Sequence, residues 1–158
     1  MKVDIDLDKS LFLPHMTADD STDVIEQLST QLYEIGYVKE SYIAAIKKRE
    51  MEYPTGLPSK SPAVAIPHAD FNLVNKTTVA VGTLEKPVEF HDMENIKKTI
   101  PVQIVIMLAI GEPHGQVEML QRVVGIIQDE KLRNDILNAN TSEELLNLIE
   151  PSLLGILN

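Results

Sequence analysis

Residues 101–110 read PVQIVIMLAI, and positions 104–110 are apolar without interruption. Successive side chains of a strand point to opposite faces, so a strand with one wet face alternates apolar and polar residues. A run without alternation marks a central strand covered on both faces. The run is too short to cross a bilayer, so no direct membrane insertion is expected. Outward from it, AVAIP (63–67) and TTVAVGTL (77–84) are also rich in valine and isoleucine and read as strands. KPVEFHDMENIKKT (86–99) reads as a short strand followed by a polar excursion.

Helices flank these strands. DDSTDVIEQLSTQLYEIGYV carries Val24, Leu28, Leu32 and Ile35 at helical spacing, with Asp20 or Ser21 as cap and Gly36 as stop. A second helix spans about residues 40–52, ends at Pro54, and carries Tyr42, Ile43 and Ile46. YPTGLPSKSP (53–62) is a stiff, proline-rich loop. HGQVEMLQRVVGIIQDEKL (114–132) predicts a third helix with Val117, Leu120, Val124 and Ile127 as its buried stripe. EKLRNDILNA and TSEELLNLIE follow as shorter helices, the last capped by Thr141 or Ser142 and closed by Pro151. Helices, then strands, then helices predict an α/β layer fold: one domain over residues 1–158, with helices on both faces of a sheet of about five strands.

Composition removes several function classes. The chain has 158 residues and a net charge of −10, an acid excess that argues against a nucleic-acid partner. It has no cysteine, hence no disulfide framework, zinc–thiolate site or thiol nucleophile. The N-terminal MKVDIDLDKS lacks a signal-peptide core, and a cytoplasmic location is expected. No Gly-rich phosphate loop, dinucleotide fingerprint or Gly-x-Ser-x-Gly elbow is present, so no cofactor is indicated.

Four histidines remain: His15, His68, His91 and His114. His15 and His91 read as loop or strand-end residues without a matched partner. His68 and His114 have matching contexts, AVAIPH and IVIMLAIGEPH, each at the end of an apolar strand. If those strands are parallel neighbours, both imidazoles reach the same sheet edge, where sites in open α/β sheets collect. His114 would also open a helix, whose N-terminal amides attract anions. Arg49 ends the second helix. It is either a solvated charge in a KKRE run or a guanidinium placed to hold a phosphoryl group. A zinc site built from His68 and His114 with Asp70 or Glu112 can be drawn, but no short metal-binding spacing supports it.

REMEYPTGLPSKSPAVAIPHAD (49–70) resembles the active-site region of the enzyme IIA proteins of the bacterial sugar phosphotransferase system, in the fructose–mannitol superfamily. The elements that carry the resemblance are Arg49-Glu50, Thr55-Gly56 and Ile66-Pro67-His68. VAVGTLEKPVEF, VQIVIMLAI and the start of the helix after His114 follow in the family's order. YPTGLP leans towards the galactitol-type branch. The family often has glycine before the apolar run, where this chain has Ala63, and glycine or threonine after the histidine, where it has Ala69.

The resemblance implies a mixed, mostly parallel five-stranded sheet and a phosphoryl carrier. His68 would accept a phosphoryl group from the phosphocarrier HPr. It would pass the group to a cysteine of an enzyme IIB partner, which serves a membrane enzyme IIC during sugar uptake. Arg49 and His114 would support the phosphoryl group. The absence of cysteine is then expected of an isolated IIA unit. An apolar ring around His68, with Leu57, Ala69, Phe71 and Met119 as candidates, bordered by acids, would receive the partners. The alternatives are a regulatory relative phosphorylated at His68, and a metal-dependent hydrolase using His68 and His114.

Overall fold

The computed structural model describes residues 5–154; residues 1–4 and 155–158, the ends of the stretch expected to form one domain and to lack a signal segment, lie outside the described residues. PVQIVIMLAI belongs to strand β5, Thr99–Ala109. Its residues 104–109 are at most 1% exposed, so both faces of the strand are covered. β5 is the middle strand of a five-stranded sheet. The others are β1 (Phe12–Met16), β2 (Gly56–Leu57), β3 (Ala63–Ala65) and β4 (Thr78–His91), in the order β1-β4-β5-β3-β2. β1 with β4 and β3 with β5 are parallel; β4 with β5 and β2 with β3 are antiparallel. The sheet is mixed, as expected, but its pairings divide evenly where a mostly parallel sheet was expected. The reason lies in the connections. The two stretches 77–84 and 86–91 are one long strand, β4, that turns back into β5 as a hairpin, and hairpin partners must be antiparallel.

Two helical layers cover the sheet. α1 (Ser21–Glu34) and α2 (Ser41–Glu52) pack together, with α1 over β4 and β5. α3 (Gly115–Gln128), α4 (Glu130–Asn138) and α5 (Ser142–Leu153) form the second group, which reaches β1, β4 and β5. α1 follows its sequence signals: the Asp20 carboxylate accepts from the Asp23 N–H at 2.8 Å, and Gly36 stops the helix at φ +89°, a conformation that glycine adopts without strain. Ile35, expected in the buried stripe, is exposed.

Three expectations are corrected in the second layer. The buried stripe of α3 is Met119, Val123 and Ile126, while Val117 is 64% exposed and Val124 also faces solvent. This helix is apolar on two faces, so periodicity alone cannot select the core face. The helix expected over 114–132 is two helices, because the Asp129 side chain caps α4 by accepting from the Leu132 N–H at 2.9 Å. Pro151 lies inside α5 instead of closing it. Thr141 caps α5 as expected, accepting from the Glu144 N–H at 3.1 Å.

Two buried polar side chains tie the layers to the sheet. Arg133 of α4 is 3% exposed. Its Nε donates to Pro62 O at 3.2 Å and its Nη2 to Lys60 O at 3.3 Å, while Nη1 donates to Ile127 O. It clamps the loop that leads into β3. Tyr42 of α2 is fully buried, and its hydroxyl donates to Leu108 O at 2.8 Å. Burial raises the Tyr42 pKa, so the phenol stays a donor. Tyr42→Phe should lower unfolding free energy by about 1–2 kcal/mol with the fold kept, since it strips one buried hydrogen bond without leaving a cavity. Urea unfolding followed by circular dichroism measures this; an unchanged midpoint would remove the bond from the account.

Candidate functional site

β3 ends at Ala65, but the chain stays extended beyond it. The Leu108 N–H donates to Pro67 O at 2.9 Å, and His68 bridges to Leu108 in parallel register. β3 and β5 are therefore parallel neighbours, the condition on which a shared edge depended, and the chain segments that carry His68 and His114 leave the sheet at one edge. Pro67 fixes φ and offers no N–H, which limits backbone freedom immediately before the histidine.

His68 is half-buried, and its Nδ1 lies 3.0 Å from Ile66 O. A carbonyl oxygen only accepts, so Nδ1 carries the proton and the neutral ring keeps its lone pair on Nε2. Burial lowers the pKa of this imidazole, and the Arg49 guanidinium adds to the lowering; the Ile66 carbonyl acts in the opposite sense. Burial is the largest of these influences, so the ring is held neutral near pH 7.

Arg49 occupies the last turn of α2. Its guanidinium carbon stands 5.5 Å from the centroid of the Tyr53 ring, and Nη1 is 3.9 Å from the Asp70 carboxylate. Its Nε is buried and has no hydrogen-bond partner among the described residues. Arg49 and His68 line one cleft of about 260 Å³, walled by Tyr53, Thr55, Met93 and Ile96. A second groove of about 220 Å³ runs past Arg49 to Lys48 and Asp70.

The loop between α2 and β3 is pinned at Thr55. Both oxygens of Glu50 accept from this residue, Oε2 from its N–H at 2.8 Å and Oε1 from its hydroxyl at 2.7 Å. Burial pushes the Glu50 carboxyl up to about 7, against the two Thr55 hydrogen bonds and the nearby His91, which pull it down. Gly56 follows because the backbone leaves no room: a Cβ there would stand 2.6 Å from His91 O. The Met93 N–H donates to Gly56 O at 2.8 Å, which folds the tip of the β4–β5 hairpin over β2 and brings Met93 and Ile96 to the cleft.

His114 caps α3, is exposed, and makes no side-chain capping bond. Gln116, two residues on, donates to Ala69 O at 3.1 Å, so the start of α3 lies beside the residue after His68. The structure thus joins His68 and Arg49 in one cleft and sets His114 on the neighbouring helix start, outside the cleft's lining. Among the described residues no three His, Cys, Asp or Glu side chains gather as a metal-binding set, so the two-histidine metal arrangement lacks a third ligand there. His15 belongs to β1 at φ 54°; its Nε2 is 2.9 Å from Asn140 Oδ1, and it lines a larger cleft of about 570 Å³ with Asp19 and Glu85. That cleft has Lys86 as its cation and no arginine in its lining. His91 is tied through Nδ1 to Ile96 O at 2.8 Å.

The apolar surround of His68 differs from the one expected. Met119 and Ala69 are buried, and Phe71 is exposed but does not line the cleft. The exposed apolar side chains there are Tyr53, Met93 and Ile96, with Met51 nearby on α2. Glu52 and Asp70 supply the acids expected beside them. Tyr53 was open to sequence reasoning as a large residue one turn past Arg49. Met93 and Ile96 carried no signal, since their place depends on the hairpin tip folding onto Gly56.

Residues 7–152 match the family model described as "Phosphoenolpyruvate-dependent sugar phosphotransferase system, EIIA 2". The galactitol-specific EIIA component of Escherichia coli K12 is 25% identical over 109 residues, which cover 69% of this chain and 72% of that protein. The transcriptional regulator ManR of Bacillus subtilis is 34% identical over 87 residues, 55% of this chain; the match spans only 12% of the regulator. The crystal structure of the mannitol IIA protein of Escherichia coli has the same fold, with a TM-score of 0.73 at 22% identity, covering 91% of this chain and 99% of that one. With the family model matching nearly its whole length, the chain belongs to the EIIA 2 family of the phosphoenolpyruvate-dependent sugar phosphotransferase system.

Proposed function

We propose that residues 1–158 form one phosphoryl-carrier domain of the sugar phosphotransferase system and that Nε2 of His68 is the acceptor. The observation that carries this reading is the bond from Nδ1 to the Ile66 carbonyl, which leaves the lone pair on Nε2 of a side chain lining the Arg49 cleft. The Nε2 lone pair attacks the phosphorus of phosphohistidine on HPr. A new N–P bond forms as the donor's N–P bond breaks, and its electron pair returns to the donor imidazole. In the second step a thiolate of enzyme IIB attacks the same phosphorus, the bond to Nε2 breaks, and His68 is restored as a neutral ring. The group then reaches sugar entering through enzyme IIC.

Arg49 supplies the positive charge that the transferring oxygens require. Its unpartnered Nε favours the same role, because a buried donor left unpaired is costly and a phosphoryl oxygen would satisfy it. His114 stands at the start of α3, where the helix dipole favours an anion beside the cleft. The exposed Tyr53, Met93 and Ile96 form an apolar rim suited to protein partners. The galactitol-specific relative supports galactitol or a related polyol as the sugar served. No helix among the described residues is long and apolar enough to cross a membrane, which accords with a cytoplasmic carrier. The likeness to ManR favours a second reading, a regulatory module phosphorylated at the same His68; such a module would not donate to any enzyme IIB.

Intact mass after mixing with phosphoenolpyruvate, enzyme I and HPr tests the proposal. The parent should gain one acid-labile phosphate and His68→Ala none. An unmodified parent beside phosphorylated HPr would overturn it. Arg49→Ala should retain the fold and slow transfer by roughly 10²-fold; an unchanged rate would take Arg49 out of the site. The pH dependence has a definite sign. The folded pKa of His68 lies below its ordinary 6.5, so protonation removes the nucleophile only as pH falls beneath that value. In the same window the unfolded chain binds more protons than the folded one, so stability falls with decreasing pH. Single-turnover transfer measured against pH should be flat above 6.5 and decline below it; a decline centred above 6.5 would contradict the neutral, buried ring.

A further inference from the structure

Glu50 sits in a place that is unfavourable for a carboxylate, and the phosphoryl chemistry above does not use it. It lies half-buried in the last turn of α2, beside Arg49. Both of its oxygens are spent on one residue, Thr55, itself only 3% exposed. Thr55 O accepts from the Ile66 N–H at 3.2 Å, and Ile66 O accepts from His68 Nδ1 at 3.0 Å. Three links, Glu50 to Thr55, Thr55 to Ile66 and Ile66 to His68, therefore run from the end of α2 to the imidazole. Burial pushes the carboxyl up to about 7, a cost that packing alone would not require of this position.

We propose that Glu50 is a positioning residue for His68: through Thr55 and the backbone N–H and C=O of Ile66 it holds the imidazole with Nδ1 protonated and Nε2 open, in register with Arg49. Because Glu50 and Arg49 share one helical turn, the same pin sets the distance between the two sides of the cleft. Without it, the 53–57 loop can shift against β3 and the Ile66 carbonyl loses its fixed direction. The kinetic consequence rests on His68 being the phosphoryl acceptor; the tautomer consequence does not.

Nitrogen NMR of ¹⁵N-histidine-labelled protein reads the tautomer with no phosphoryl donor present. The parent should show His68 with a protonated Nδ1 and an unprotonated Nε2. Glu50→Ala should populate the other tautomer and slow phosphoryl transfer from HPr by roughly 10- to 100-fold. Glu50→Gln should restore both, because its amide oxygen can accept the Thr55 N–H and its amide N–H can donate to the Thr55 hydroxyl. A merely structural role would lower stability and leave the tautomer alone. A folded Glu50→Ala protein with the parent tautomer and parent rate overturns the proposal. If Glu50→Ala does not fold, Thr55→Val removes one of the two bonds and should shift the tautomer in the same direction; an unchanged ring there overturns it equally. A parent that takes up no phosphate would instead count against His68 as acceptor and leave the tautomer result standing.

Discussion

The burial of β5 on both faces sets the position of every group in the candidate site. Its residues 104–109 are out of reach of water, so each backbone polar group must find a protein partner. Near its C-terminal end those partners belong to the segments that carry His68 and Arg49. The Leu108 N–H takes Pro67 O, which fixes the backbone on which His68 rides. Leu108 O takes the Tyr42 hydroxyl, which fixes α2, and with it Arg49. One residue of the central strand thus anchors both sides of the cleft. The dry interior makes any displacement costly, because a shifted backbone would leave a buried donor or acceptor unpaired.

The electrostatics of the cleft follow from the same geometry. The chain carries a net charge of −10, a poor general setting for an anion. Within the cleft, Arg49 reaches Asp70 only at 3.9 Å and between partly exposed side chains, a weak pair that an incoming anion can displace. His68 is kept uncharged by burial, so its Nε2 is available as a nucleophile without prior loss of a proton. Glu52, which lines the cleft together with His68, and Asp70 in the adjoining groove suit a basic partner surface.

Much of this was legible in the sequence because it depends on local pattern. The unbroken apolar run at 104–110 identified the central strand, Asp20 and Gly36 bounded α1, and Thr141 capped α5. The condition under which His68 and His114 would leave one sheet edge, that their strands are parallel neighbours, is met by β3 and β5. What was not legible depends on long-range contacts. β1 went unread because it is an edge strand broken by Pro14 and by His15 in a left-handed conformation, a position where proline is tolerated. Of the α3 stripe that periodicity selects, Leu120 and Ile127 pack partly buried against the core, while Val117 and Val124 satisfy the same helical period yet face solvent, and Met119, Val123 and Ile126 are the fully buried residues. Met93 and Ile96 reach the cleft only because the hairpin tip folds onto Gly56. Thr55-Gly56 was visible as a pair, but not the reasons for it: one residue is held by Glu50, and the other has no space for a Cβ.

On the proposed reading, the Ile66 carbonyl commits Nδ1 to a proton and leaves Nε2 as the nitrogen that bonds phosphorus. Phosphorus–nitrogen NMR of the phosphorylated, ¹⁵N-histidine-labelled protein reads this directly, since the two ring nitrogens give distinct couplings. The phosphoryl group should be found on Nε2 of His68, with Nδ1 still protonated. A phosphoryl group on Nδ1, or on any other histidine, would contradict it.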